Sequence, residues 1–285
     1  MSDFPRLLIA GCGDLGCRTG VTLASQGWSV QGLRRRVTGL PAAIAPLAGD
    51  LSQPQCPAGW PAQAPDYVLY AAAAERSDEP AYRAAYVEGL RHVLGWLAEH
   101  GQRPRRLLFV SSTAVYGQHQ GEWVDEASPC EPQGFTGRVL LEAEQLALDS
   151  GIPASVVRLA GLYEGDSRWL VDQLRAGLMP AAQPPLYSNR IHRDDAAALV
   201  ACLLRADARG EPLESIYLGV DDEPAPLHEV ADWLRGRFGI DTPPSAPMQR
   251  RAGSKRCRNA RARSLGWTPR YPSYREGYGE GMPDL

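Results

Sequence analysis

Residues 6–16 read RLLIAGCGDLG: a short apolar run, then Gly11, Gly13 and Gly16 in GxGxxG spacing, followed by an amphipathic stretch from Cys17 to Gln26. That order predicts a buried strand, a tight turn and the start of a helix. Gly11 allows the turn, Gly13 lets the backbone approach a pyrophosphate, and Gly16 lets helix and strand pack closely. The free N–H groups of the first helical turn then face the phosphate charge. Gly11, Cys12, Gly13, Asp14, Leu15 and Gly16 are therefore the candidate dinucleotide contacts. In a chain with 29 glycines the same spacing can be an ordinary glycine turn. The strand before it and the helix after it favour the dinucleotide site.

Outward from the loop, strands alternate with helices. Trp28 to Leu33 reads as a second strand and Asp66 to Ala72 (DYVLYAA) as an apolar one. Asp78 and Pro80 open a long helix with Tyr82, Tyr86, Leu90, Val93 and Leu97 at helical spacing and Gly101 as its stop. Arg106 to Ser112 is a buried strand, Thr136 to Ser150 a helix, and Ala154 to Leu159 a further strand. Repeated βα units predict an α/β fold, a Rossmann-type doubly wound parallel sheet, with ligands beyond the carboxyl ends of the strands. From Gly161 the pattern loosens: Asp166 to Ala176 and Arg193 to Leu204 read as helices, Ile216 to Gly219 as a short strand. The expected division is a dinucleotide-binding domain over 1–160. Residues 161–285 are expected mainly as a smaller substrate-binding cap, with some segments returning to the Rossmann sheet.

In a dinucleotide-binding unit an acidic residue about 20 positions past the glycines usually holds the ribose hydroxyls, whereas an arginine accommodates a 2′-phosphate. Here the second strand ends Gly32, Leu33, Arg34, Arg35, Arg36, with no carboxylate. A guanidinium pairs with phosphate bidentately where a carboxylate would repel it. Arg34 and Arg35 therefore favour NADP over NAD, the bland alternative being a solvated arginine turn. Asp50 and Leu51, at the end of a weak third strand (LAGDL), are expected beside the adenine. Ala71, Ala72 and Ser111 are expected to line the cofactor from the strand ends.

Composition narrows the field. With 44% hydrophobic and 22% charged residues the chain reads as soluble, and no apolar run approaches the roughly 20 residues of a membrane helix. No signal-peptide core follows MSDFPR. Six cysteines form no CxxC pair and five histidines no HExxH spacing, so neither a metal site nor a disulfide framework is expected. The expected location is the cytoplasm. A net charge of −3 gives no general attraction for nucleic acid. Between Arg250 and Arg270, however, basic residues run without an acidic one. They either grip a phosphate, with Arg251 and Arg258 as candidate contacts, or form a solvated stretch. The only lysine is Lys255.

Taken in order, these segments resemble the extended short-chain dehydrogenase/reductases, the family of sugar-nucleotide epimerases and dehydratases. The resemblance runs nearly end to end: DYVLYAAAA (66–74), SSTAVYG (111–117), VDEASPCEP (124–132), RLAGLYEG (158–165), NRIHRDDAA (189–197), YLGVDDEP (217–224) and LGWTPRYPSYREGY (265–278). It implies chemistry by a serine or threonine, a tyrosine, and a lysine four residues after the tyrosine. The phenol exchanges a proton with the substrate oxygen while a hydride moves to or from the nicotinamide. Ser112 stands at the hydroxyl position, beside Thr113. Alignment on Pro132, Gly137 and Glu144 puts Thr136 where the tyrosine belongs and Leu140 where the lysine belongs. No register restores the pair, because Arg251 lies four residues before Lys255.

An aliphatic hydroxyl is far too weak an acid to replace a phenol of pKa about 10. Substitute proton carriers would be Tyr163, Tyr116 or His192. The plainer alternatives are that the tyrosines line the pocket and His192 braces a loop. Asp194 and Asp195 precede a helix and are expected to cap it. The losses place the chain among atypical members of the family, which keep the fold and cofactor loop. Two functions follow. The first is an NADP-binding oxidoreductase or epimerase/dehydratase-like enzyme with a non-standard proton relay. It would act as monomer or homodimer on a small carbonyl or hydroxyl compound, a nucleotide-sugar or a phosphate-bearing substrate. The second is a non-catalytic NADP-binding redox sensor or regulator.

Overall fold

The computed structural model describes residues 4–164, 168–248 and 253–279. Its centre is a seven-stranded parallel sheet in the order β12-β7-β5-β4-β1-β2-β3. The strands are β1 (Arg6–Ala10), β2 (Ser29–Arg34), β3 (Ala45–Ala48), β4 (Tyr67–Tyr70), β5 (Arg106–Ser112), β7 (Ala154–Leu159) and β12 (Ile216–Gly219). The chain winds outward from β1 through β2 to β3, then returns to place β4 on the other side of β1. The crevice of such a sheet opens at that reversal, beyond the strand ends.

Helices cover both faces, so the strands read as continuous apolar runs. Alternation along each strand sorts them. Leu7, Ile9, Tyr67, Leu69 and Leu108 enter one core with Leu23 of α1 (Asp14–Ala24) and Leu199, Val200 and Leu203 of α6 (Arg193–Ala208). Leu8, Ala10, Val68, Tyr70, Leu107 and Phe109 enter the other, against α3 (Gly89–Glu99) and α4 (Phe135–Leu148). Both β12 and α6 come from the half of the chain beyond Gly161.

The long helix expected from Asp78 to Gly101 is broken into α2 (Glu79–Tyr82), a π-helical stretch over Arg83–Glu88, and α3. Asp78 caps the start by accepting from the Ala81 amide at 2.9 Å, and Gly101 ends the segment at φ +62°. The π stretch has a tertiary cause: the Tyr70 hydroxyl donates to the Ala85 carbonyl at 2.5 Å. A Cβ at Gly89 would stand 2.4 Å from that hydroxyl oxygen. Helical spacing alone carries no trace of the insertion.

A further packing unit lies outside the two cores that flank the sheet. Its core joins α5 (Arg168–Arg175), α7 (Leu227–Arg237) and α9 (Tyr274–Gly279) through Leu174, Val230, Leu234, Tyr274 and Tyr278. Among the described residues, four two-stranded ladders lie outside the main sheet: β6 (Glu122–Val124) with β15 (Lys255–Cys257), β8 (Gly161–Tyr163) with β11 (Arg190–His192), β9 (Leu178–Met179) with β14 (Ala246–Pro247), and β10 (Tyr187–Ser188) with β13 (Ala225–Pro226). Between β15 and α9 lies α8 (Ala260–Ser264). No helix among the described residues is long and apolar enough to cross a membrane.

Candidate dinucleotide and substrate site

The glycine loop joins β1 to α1 at the reversal point. Gly11 has φ +82°, and a Cβ there would lie 2.5 Å from the Ala72 backbone, so both conformation and space demand glycine. A Cβ at Gly16 would stand 2.8 Å from the Ile9 side chain, the close helix–strand contact expected. Gly13 is different: nothing lies within 4 Å of where its Cβ would point. Gly13 is also the N-cap of α1, and no side chain caps that helix. The amides of its first turn, at Asp14, Leu15 and Gly16, are thus left for a ligand, which fits a pyrophosphate.

In front of the loop is a cleft of about 460 Å³. Gly11, Cys12, Gly13, Arg34, Arg35, Asp50, Leu51, Ala71 and Ala72 all line it, as do Arg36, Glu75 and Arg76. Nine sequence-predicted contacts therefore meet in one cavity. Arg34 is held by an Nη1 donation to the Cys12 carbonyl at 3.3 Å. Arg35 pairs with Glu75, which sequence reading missed because the partner lies 40 residues on. The Asp50 carboxylate accepts from the Ser52 amide at 3.0 Å and hydroxyl at 2.8 Å. Asp14 directs its carboxylate to Arg18 at 3.0 Å and Arg193 at 3.5 Å, tying α1 to α6.

Ser111 departs from expectation. Successive side chains on a strand point to opposite faces, and Ser111 points under the sheet, donating to Glu144 at 2.5 Å. Glu144 in turn holds Arg158 through contacts of 2.7 to 3.2 Å. Arg158 donates to the Tyr116 hydroxyl at 2.8 Å, and Tyr116 donates to the Asp125 carbonyl at 2.8 Å. Ser111 and Tyr116 are thus ends of a buried network rather than cleft residues. Burial pushes the Tyr116 phenol well above its ordinary value, with Arg158 opposing.

The other two proton-carrier candidates are also engaged. Tyr163 is buried, donates to the Ser273 carbonyl at 3.1 Å and packs on Tyr278. Burial and the nearby Asp221 carboxyl raise its pKa. His192 is itself the N-cap of α6, its Nδ1 accepting from the Asp194 amide at 3.2 Å. Burial lowers its pKa, in keeping with an acceptor nitrogen. The capping role expected of Asp194 and Asp195 therefore belongs to His192. Asp194 instead pairs with Arg18. Asp195, buried, accepts from the Arg270 amide at 2.7 Å and the Tyr271 amide at 2.9 Å, clamping the C-terminal segment onto α6.

Ser112 stays at the carboxyl end of β5, half-buried, accepting from the Ala114 amide at 3.2 Å. Thr113 is buried beside it. Thr136 sits in the first turn of α4, which rests directly on this turn: a Cβ at Gly137 would lie 2.4 Å from the Ala114 carbonyl oxygen. The turn after Ser112 and the helix that carries Thr136 therefore meet at Ala114 and Gly137. Leu140, at the lysine position, is buried with Val115 and Tyr116.

The basic stretch is largely spent on structure. Lys255 is buried and its Nζ donates to the Tyr116 carbonyl at 3.1 Å. Arg256 donates to the Gly121 carbonyl at 2.7 Å between the Trp123 and Tyr187 rings. Arg258 lies over Trp123 and lines a separate cavity of about 200 Å³ with Asp221 and Asp222. That cavity shares no lining residue with the cleft, so Arg258 does not face the space lined by the predicted dinucleotide contacts. Arg251 lies outside the described residues. In the NRIH segment, Asn189 donates to the Lys255 carbonyl at 2.9 Å and accepts from the Cys257 amide at 2.8 Å. No group of three potential metal ligands occurs among the described residues.

With the glycine loop, the parallel sheet and the cleft in place, comparison decides the family: the sequence profile of the NAD dependent epimerase/dehydratase family matches residues 7–163. The chain belongs to that family. It is an NAD(P)-dependent enzyme by that membership. A structure from Methylobacillus flagellatus, provisionally assigned as an NAD-dependent epimerase/dehydratase, is 34% identical over 97% of each chain with a TM-score of 0.77. Protein YeeZ of Escherichia coli K12 is 27% identical over 72% of this chain and 75% of its own. A 3-diazoavenalumate denitrifying reductase from Streptomyces is 28% identical over 96% of this chain and 99% of its own.

Proposed function

We propose that the protein is a cytoplasmic, NADP-dependent oxidoreductase or epimerase/dehydratase-like enzyme. Its substrate would be a small carbonyl or hydroxyl compound or a nucleotide-sugar. The observation that carries the cofactor choice is the placement of Arg34, Arg35 and Arg36 on the same cleft as Gly11 to Gly13. Arg34 comes at the end of β2, where an acidic residue would suit NAD. Glu75 holds Arg35 in an exposed pair. A 2′-phosphate competes with that carboxylate at little cost, because solvent screening leaves such an exposed pair weak. Residues 161–285 act mainly as the cap over the substrate.

When bound, the dinucleotide supplies or accepts a hydride. The chain's own part is to hold and orient. The amides of the α1 first turn bind the pyrophosphate, and Ala71 and Ala72 let the cofactor lie against the ends of β1 and β4. Ser112 receives the Ala114 amide on its oxygen, which leaves its own hydrogen for a substrate oxygen. Thr136, on the helix that meets the turn after Ser112, offers a second hydroxyl. Tyr116, Tyr163 and His192 are committed to structural hydrogen bonds, so water reaching the Ser112 edge completes the proton transfer in this reading. The reductase name of the Streptomyces relative supports the oxidoreductase arm.

The test is NADPH oxidation across panels of carbonyl compounds and nucleotide-sugars. Turnover that falls at least about tenfold in Ser112→Ala, with NADPH affinity retained, supports the enzyme. Tight NADPH binding without turnover on either panel overturns this choice of substrate class.

A further inference from the structure

The dinucleotide loop carries two thiols, one of them Cys12 on the cleft wall, whose sulfur chemistry the cofactor reading does not use. Gly13 is the N-cap of α1, which makes Cys12 the residue before the cap and Cys17 the fourth residue of the helix. Side chains at these two positions meet across the helix start. Here their sulfurs are 3.8 Å apart. Cys12 is fully buried and Cys17 half-buried. The Cys12 sulfur rests against β2: a Cβ at Gly32 would stand 2.7 Å from it. The Cys12 backbone is equally committed, its amide donating to the Leu33 carbonyl at 3.0 Å and its carbonyl receiving Arg34 Nη1 at 3.3 Å.

The geometry points to Cys12 and Cys17 as a reversible dithiol–disulfide pair whose oxidation by a peroxide weakens NADP(H) binding at the loop between them. The binding half of this inference rests on the dinucleotide reading above. Cys17, the accessible member, attacks hydrogen peroxide as its thiolate: an S–O bond forms, the O–O bond breaks, and one water leaves after protonation. The Cys12 sulfur then attacks the Cys17 sulfur, an S–S bond forms, the S–O bond breaks, and a second water leaves with the Cys12 proton. Two thiols and one peroxide give one disulfide and two waters. Burial, reinforced by Cys17, pushes the Cys12 thiol up to about 12, so the first attack falls to the more exposed Cys17.

Bond formation requires about 2.05 Å between the sulfurs, so the pair must close by about 1.8 Å. Cys12 has to leave its seat on Gly32, and the loop amides and the Arg34 anchor move with it. A thioredoxin-type dithiol reductant restores the reduced loop.

Trypsin, cutting after Arg6 and Arg18, releases Leu7 to Arg18 with both cysteines of the pair and no other. Peroxide treatment of the full chain is expected to leave this peptide two hydrogens lighter and to raise the NADPH dissociation constant at least about tenfold. Dithiothreitol should reverse both effects, and Cys17→Ser should bind like the reduced parent with or without peroxide. Persisting free thiols, or separate over-oxidation of the two sulfurs, overturns the pair. A bridge that leaves NADPH affinity unchanged overturns the coupling. A bridge forming in a protein whose reduced state binds neither dinucleotide supports the pair and overturns the cofactor reading.

Discussion

Replacing Glu144 with glutamine should destabilise the protein by about 3 kcal/mol, without weakening dinucleotide binding. Glu144 and Arg158 are each only 3% exposed. The carboxylate contacts Arg158 Nη2 at 2.7 Å and Nε at 3.1 and 3.2 Å, and takes the Ser111 hydroxyl at 2.5 Å. Glutamine keeps the shape, so no cavity cost enters, but it removes the charge that compensates a guanidinium deep in the fold. Breaking such a pair from one side costs about 3–5 kcal/mol, and the near-isosteric change sits at the lower end. At about 2.1 cal/mol/K per residue, 285 residues have an unfolding entropy near 0.6 kcal/mol/K, so Tm should fall by about 5 °C. Circular dichroism melts measure this, and NADPH titration provides the control, because neither residue lines the cleft. The double variant Glu144→Leu with Arg158→Met should recover most of the loss, since well-packed apolar replacements of buried pairs are often neutral. A melting shift below about 1 °C for Glu144→Gln, or a double variant no better than the single, refutes the claim that this charge pair carries the stability.

Three further outcomes follow from particular contacts. Arg34→Asp should weaken NADP binding about tenfold to a hundredfold more than NAD binding in parallel titrations, and equal losses would remove the 2′-phosphate argument. Burial raises the Asp221 carboxyl to about 8. The folded state therefore holds a proton that the unfolded state releases above about pH 4, and parent stability contains a term that declines as pH rises from there to about 8. Asp221→Asn should flatten this decline in urea unfolding at pH 5 and pH 8.5, and parallel pH dependences in parent and variant would contradict the assignment. Finally, a Cβ at Gly137 would also come within 2.4 Å of the Pro132 Cβ. Gly137→Ala should lower turnover more than NADPH affinity by lifting α4 off the turn after Ser112, and an unaltered kcat would show that the turn tolerates the shift.

Much of the dinucleotide half was legible because its signals are local. A strand covered on both faces must be apolar throughout, so LLIA, YVLY and RLLFV announce themselves. The Arg34 to Arg36 run follows the same logic, since the end of β2 is positioned by sequence spacing from the glycines. The candidate chemistry behaved otherwise. Tyr116, Tyr163 and His192 are residue types that carry protons, yet each is committed to a partner: the Asp125 carbonyl nine residues on, the Ser273 carbonyl 110 residues on, and the Asp194 amide at the start of α6. Ser111 and Ser112 are adjacent in sequence, but the pleat sends one to Glu144 and leaves the other at the edge. Four short ladders outside the main sheet were also invisible, because strands of two or three residues have no periodicity to read.

By itself, the sequence determined the sheet, the glycine turn, the loss of the tyrosine–lysine pair and the three arginines beside the cofactor cleft, because backbone sterics and burial periodicity act over a few residues. Only the tertiary structure decided which polar side chains are spent as braces. A buried hydroxyl, imidazole or guanidinium must find a partner, and the partners of Ser111, Tyr163, His192 and Lys255 come from segments 33 to 139 residues away, apart from the neighbouring amide that His192 caps.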